Sequence, residues 1–144
     1  MGILADFFVA THDDALKYAA PGSFQDEALK LRVAPAEYKG FGTVEIGTLW
    51  AILEKEEWSA ARHDLIEESI EGEGGSWLFR FPPPLLGLLA AATENDLYVA
   101  NSEWSSTEEL NCAPSELLPV TLDLQRLAKM SIATGKPMYL WGSL

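Results

Sequence analysis

Thr43-Val44-Glu45-Ile46-Gly47-Thr48-Leu49-Trp50-Ala51-Ile52-Leu53-Glu54 is the stretch on which the fold class turns. Ile46, Leu49, Trp50 and Leu53 recur at i, i+3, i+4 and i+7, the spacing that gathers side chains on one face of a helix. Gly47 weakens this helix slightly and permits close packing against it. A second helix is expected from Ser59, as its cap, to Glu68. Its apolar stripe is poor, so it should lie on the surface. On either side of this helical block the pattern changes to strands.

Upstream, Ile3 to Val9 is an apolar run interrupted by Ala5 and Asp6, which reads as a buried first strand. Thr11 offers an N-cap to a helix from His12 to about Ala20, with Asp13 and Asp14 favouring its dipole and Pro21-Gly22 stopping it. Leu29, Leu31 and Val33 alternate with Lys30 and Arg32, which predicts a strand that Pro35 breaks or confines to an edge. Tyr38 to Gly42 is a turn into the next element.

Downstream, Glu71 to Gly75 is a flexible turn, and Trp77 to Phe81 a strand with Trp77, Phe79 and Phe81 on one side. Pro82-Pro83-Pro84 opens a short apolar helix from Leu85 to Thr93, buried on most sides. Asn95 or Asp96 caps a helix reaching Trp104, and residues 106–114 read as loop or one-turn structure. Pro119 opens the last helix, with Val120, Leu124, Leu127 and Ala128 facing the core and Ser131 following. Gly135 and Pro137 end it, and Met138 to Leu144 is a terminal strand. Long helical insertions between few strands predict an α+β fold. Residues 1–144 form one domain, with a few-stranded mixed sheet holding an N-terminal and a C-terminal strand. The terminal strand is expected at a sheet edge, free to pair with a copy of itself in a homodimer.

At 144 residues, 48% apolar and 22% charged, the composition is that of a globular domain with a sizeable core. Cys112 is the only cysteine, which excludes an internal disulfide framework. The N-terminus lacks the basic and long apolar segments of a signal peptide, and Asp6 stands where a myristoylation motif wants Ser or Thr. The longest apolar run, Leu85 to Ala92, is far short of a membrane span. A cytoplasmic protein is expected. The net charge of −12 argues against nucleic acid and against an anionic membrane as partners, and favours a basic protein.

Chemistry-bearing residues are sparse. His12, His63 and Cys112 have no zinc-site spacing, so no metal is expected, and no cofactor motif is present. Cys112 lies near a helix start but has no base beside it in sequence, and no catalytic residue is assigned. Gly72-Glu73-Gly74-Gly75 lacks the lysine of a phosphate-binding loop. Two acidic segments stand out. Glu54, Glu56, Glu57, Asp64, Glu67, Glu68, Glu71 and Glu73 are offset only by Lys55 and Arg62. Between Arg80 and Arg126 there is no basic residue, yet Glu94, Asp96, Glu103, Glu108, Glu109, Glu116 and Asp123 lie there. Trp58 and Trp104 each follow a glutamate, Glu57 and Glu103, among polar residues. A half-exposed tryptophan beside carboxylates has the composition of a binding hot spot.

The beginning, Met1-Gly2-Ile3-Leu4-Ala5-Asp6-Phe7-Phe8-Val9, and the ending, Leu127-Ala128-Lys129-Met130 through Gly135-Lys136-Pro137-Met138-Tyr139-Leu140-Trp141, resemble small bacterial proteins of uncharacterised families. The resemblance is confined to these two ends. It implies a bacterial source and an α+β fold, and it carries no catalytic residue onto this chain.

Two functions follow. The first is a non-enzymatic binding or regulatory protein, with Glu57, Trp58, Glu103 and Trp104 at its interface. Its analogy is with bacterial immunity proteins, which cover a basic site with acids and anchor through aromatics. The second is a small-molecule-binding domain or small enzyme with His63 and Asp64 in a cleft, which requires His12 and His63 to converge. The scarcity of catalytic residue types favours the first.

Overall fold

The computed structural model describes residues 3–20, 26–70 and 75–144. Two strands from opposite parts of the sequence meet at its centre. β1 (Leu4–Val9) runs antiparallel to β5 (Met138–Ser143), in register from Leu4 opposite Ser143 to Val9 opposite Met138. β2 (Ala36–Lys39) pairs with the far side of β1, β4 (Ser76–Arg80) with the far side of β5, and β3 (Ile66–Ile70) with β4. The order is β2-β1-β5-β4-β3.

The fold is α+β, as expected, but all four pairings are antiparallel, so the sheet is not mixed. β5 is not an edge either. Met138, Tyr139 and Leu140 are consecutive and fully buried, and a strand buried on both faces belongs inside a sheet. With neighbours on both sides it has no free ladder with which to pair a second copy.

Strand alternation sorts the core into two layers. On one face Phe8, Leu78 and Tyr139 pack beneath α1 (His12–Ala19) and α2 (Glu27–Val33), which contribute Ala15, Tyr18, Leu29 and Val33. On the other, Phe7, Phe81 and Leu140 pack beneath α3 (Thr43–Glu54), α4 (Pro83–Ala91), α5 (Glu94–Ser105) and α6 (Pro114–Thr134). Ile46, Leu49, Leu85, Leu89, Trp104 and Leu124 fill that larger layer. Among the described residues no helix is long and apolar enough to cross a membrane.

Tyr38 and Lys39, expected in a turn, belong to strand β2, and four other elements differ from expectation for local reasons. Residues 29–33 are helical, not extended. Leu29 and Val33, at i and i+4, are buried, while Leu31 is 81% exposed. Asp26 accepts the Leu29 N–H (3.0 Å), Ala34 closes the helix in the left-handed region (φ 48°), and Arg32 clasps Asp14 of α1 (Nε–Oδ2 2.9 Å). The helix expected over residues 59–68 is a single turn, in which the His63 N–H donates to the Ser59 carbonyl (2.8 Å), followed by strand β3. A segment without an apolar stripe has nothing to bury as a helix, whereas Ile66 and Ile70 suit a strand. α5 is capped by Thr93, in reciprocal hydrogen bonds with Asp96, rather than by Asn95 or Asp96. The last helix opens at Pro114, with Glu116 accepting the Ala113 N–H (3.1 Å), and Pro119 lies inside it. The ladder bond Pro119 cannot make would involve the carbonyl of exposed Ser115, which water can reach. The expected core face, Val120, Leu124, Leu127, Ala128 and Ser131, is buried. The proposed stop at Pro21-Gly22 and most of the turn at Glu71 to Gly75 lie outside the described residues.

Alternation along β1 places Asp6 on the α1–α2 face, where it is 8% exposed and accepts the Tyr18 hydroxyl proton. Burial raises its carboxyl above the ordinary aspartate value, opposed by the Tyr18 hydrogen bond, with Glu37 raising it further and Lys30 lowering it. Folding therefore favours protonated Asp6, and its contribution to stability is present at acid pH and lost as pH rises through the raised folded value. Asp6→Asn keeps an acceptor for Tyr18 without the charge. The variant should melt higher than wild type at pH 7 and show a flatter stability profile above about pH 4; equal melting temperatures at neutral pH would refute this account of Asp6.

Candidate functional site

α5 turns two kinds of residue toward one side. Asp96, Val99, Ala100 and Glu103 stand at i, i+3, i+4 and i+7, and all four line a groove of about 970 Å³ between α3, α4 and α5. α4 contributes the same spacing with Pro84, Gly87, Leu88 and Ala91. Buried Ala51 and Ala100 form the floor, and half-buried Ile52, Leu53 and Leu88 its apolar sides. The charged residues on its exposed rim are mostly acidic, Glu56, Glu57, Asp96 and Glu103 against Lys55 alone. A Cβ added at Gly87 meets nothing within 4 Å, so this position opens directly onto free space.

The α3 C-terminus brings the first acidic segment to this rim. Lys55 ends the helix in the left-handed region (φ 61°), its N–H donating to the Ile52 carbonyl (3.1 Å) and that of Glu56 to Ala51 (3.0 Å). The chain turns there, and residues 56–65 fold back on α3. His63 anchors that return. Its ring is fully buried, Nδ1 accepts the Ser59 N–H (3.0 Å), and Nε2 faces Glu54 Oε1 (3.3 Å). A nitrogen that accepts a backbone N–H carries no proton, so the neutral ring is protonated on Nε2. Arg62 holds the same Glu54 (2.6 Å) and also pairs with Glu56, while the Trp50 ring meets the imidazole edge-on at 5.3 Å. Gly47 makes this approach possible, because a Cβ there would lie 2.3 Å from the His63 carbonyl oxygen.

The six residues singled out from sequence are therefore divided. Glu57 and Glu103 come together on one groove, and neither has an ion-pair partner among the described residues. Trp58 is 46% exposed, but its indole nitrogen leans on α3 at Gly47, outside the groove. Trp104 is not at a surface. It is 0% exposed, donates its indole N–H to the Glu45 carbonyl (3.0 Å) and packs against Phe41 at 5.5 Å. Leu97, Ala100 and Trp104 form the core stripe of α5, and their spacing outweighs the polar neighbours of Trp104 in the sequence. Asp64 is exposed, and His63 spends both ring nitrogens internally.

His12 and His63 do not converge. His12 sits at the head of α1, over the opposite sheet face, with Nδ1 3.3 Å from the Tyr139 hydroxyl and 3.9 Å from Glu68. A cleft built on the two histidines is thus contradicted. Among the described residues no three His, Cys, Asp or Glu side chains are grouped to hold a metal ion. Burial, reinforced by Glu116, pushes the Cys112 thiol up, opposite to what a nucleophilic thiolate needs. The groove residues missed from sequence are Lys55, Gly87, Leu88, Asp96 and Val99. For Gly87 and Leu88 on α4 and Asp96 and Val99 on α5 the signal was the shared i, i+3, i+4, i+7 spacing; Lys55, the α3 C-cap, has no such spacing.

Two stability measurements check this geometry. Gly47→Ala should destabilise by roughly 1–3 kcal/mol in urea unfolding, despite the ~1 kcal/mol helix-propensity gain, because backbone must move; a stabilised variant would contradict the contact with His63. Trp104→Ala should lose about 3–5 kcal/mol as a core truncation, and Trp58→Ala less than about 1 kcal/mol; similar losses would contradict their separation into core and surface. No family model, no curated protein and no solved structure matches this chain.

Proposed function

We propose that this protein is a non-enzymatic binding protein whose α3–α4–α5 groove receives a basic, apolar-faced segment of a partner protein. One observation carries the reading: Glu57 and Glu103, from two separate acidic segments, line a single groove with an apolar floor. An apolar floor gains from burial, and unpaired carboxylates on its rim select cations beside that apolar surface. The net charge of −12 speeds the encounter with a basic partner from a distance. Contact area on the floor then slows release. The same chemistry suits a regulatory protein of the immunity type, which occupies a basic functional surface on another protein. The cytoplasm is the proposed setting, in keeping with one unpaired cysteine, Cys112.

The decisive variant is the double charge reversal Glu57→Lys with Glu103→Lys. Both side chains are exposed, so the fold should tolerate the change. In capture from host lysate, wild type should retain a basic protein at low salt and lose it near 1 M salt, where the Debye length is about 3 Å. The double variant should bind that protein at least tenfold more weakly, about 1.4 kcal/mol. Undiminished binding by the double variant would remove the groove from the account.

A further inference from the structure

We infer that the segment seated in this groove is an α-helix with an apolar stripe flanked by Lys or Arg, an inference that rests on the reading of the groove as a protein-binding site. The backbone decides between helix and strand. Apart from Glu56 and Glu57 in the turn after α3, the walls of the groove are helices and their caps, and neither sheet edge, β2 or β3, contributes to them. Helical walls bond their own N–H and C=O groups, so they have no ladder to offer an incoming chain. An extended segment over this floor would bury unpaired backbone groups, whereas a helix brings its own satisfied.

The lining also has a helix's dimensions. The i to i+7 stripes of α4 and α5 each run for two turns, about 10 Å. On α4 the stripe is low: Gly87 has no side chain, and Ala91 has only a methyl group. Small residues let a neighbouring helix axis come to the near end of the usual 8–10 Å packing distance. On α5 the acids Asp96 and Glu103 bracket apolar Val99 and Ala100, so matching cations belong about two turns apart on the occupant. Glu57, from the α3 end, supplies a further carboxylate to the rim.

The test uses the whole protein and two synthetic peptides of identical Leu, Lys and Ala composition, roughly 15 residues long. In one, Leu recurs at i, i+3, i+4 and i+7; in the other, Leu and Lys alternate. Fluorescence anisotropy gives affinity, and circular dichroism gives helicity gained on mixing. Gly87→Trp supplies the control, since its side chain points into open space and fills the groove without pressing on the fold, as thermal melting verifies. The expected result is at least tenfold tighter binding of the helix-patterned peptide, a rise in helicity, and loss of binding in Gly87→Trp. Equal or tighter binding of the alternating peptide, still blocked by Gly87→Trp, overturns the helical occupant and leaves the groove reading standing. Peptide binding that survives Gly87→Trp overturns both, because the peptides then adhere elsewhere. Failure of both peptides overturns the helical occupant, while charge reversal at Glu57 and Glu103 judges the groove independently.

Discussion

Everything in this structure depends on residues 4–9 finding residues 138–143. The β1–β5 pair forms the middle of the sheet: β2 and β4 pair directly with one of those strands, β3 joins through β4, and the helices cover the two faces. The pairing closes a loop of nearly the whole chain before any of its contacts is gained, and that entropy rises with the logarithm of loop length. The return comes from burial on both faces at once. Phe7 and Leu140 enter the larger layer while Phe8 and Tyr139 enter the smaller, and all four are completely buried. A strand pair that serves two cores is hard to replace with any other pairing.

The groove is a by-product of how the larger layer is filled. Four helices share that face, and α4 meets the sheet side with Leu85 and Leu89 while leaving Gly87 and Ala91 outward. Beside the packed α3 and α5, the small residues of α4 leave width that no side chain occupies. Its charge follows from sequence composition, because neither α4 nor α5 contains a basic residue. The folded-back segment after α3 adds Glu56 and Glu57, and its position rests on buried His63 and on Glu54, which exposed Arg62 also holds. His63 here orders a loop, with both ring nitrogens engaged inside the protein.

Strong periodicity was legible and ambiguous periodicity was not. The helix at Thr43–Glu54 was fully readable because four large side chains repeat on one face and Lys55 ends it. Residues 29–33 satisfied two periods at once: apolar residues at i, i+2 and i+4 alternate like a strand, while the outer pair fits a helix. Only the Asp26 cap and the contact with α1 separate the two. Trp104 misled for the opposite reason, since polar neighbours in sequence say little about which side of a helix is covered. The site was half legible. Uncompensated acids identified Glu57 and Glu103, but their meeting depends on how α3 lies against α5, which no local pattern encodes. β5 was a readable strand in an unreadable place, since strand order follows from the whole set of faces to be buried.

The register of the central pair carries a mechanical consequence. Leu4 and Ser143 are opposite one another, so the outer ends of β1 and β5 lie at the same end of the ladder. The hydrogen bonds between antiparallel strands run perpendicular to the strands. A pull that separates residue 4 from residue 143 therefore loads these bonds in turn, like a zipper, instead of shearing all of them together. The central pair, buried on both faces, is thus placed to open one bond at a time under tension applied at those two points.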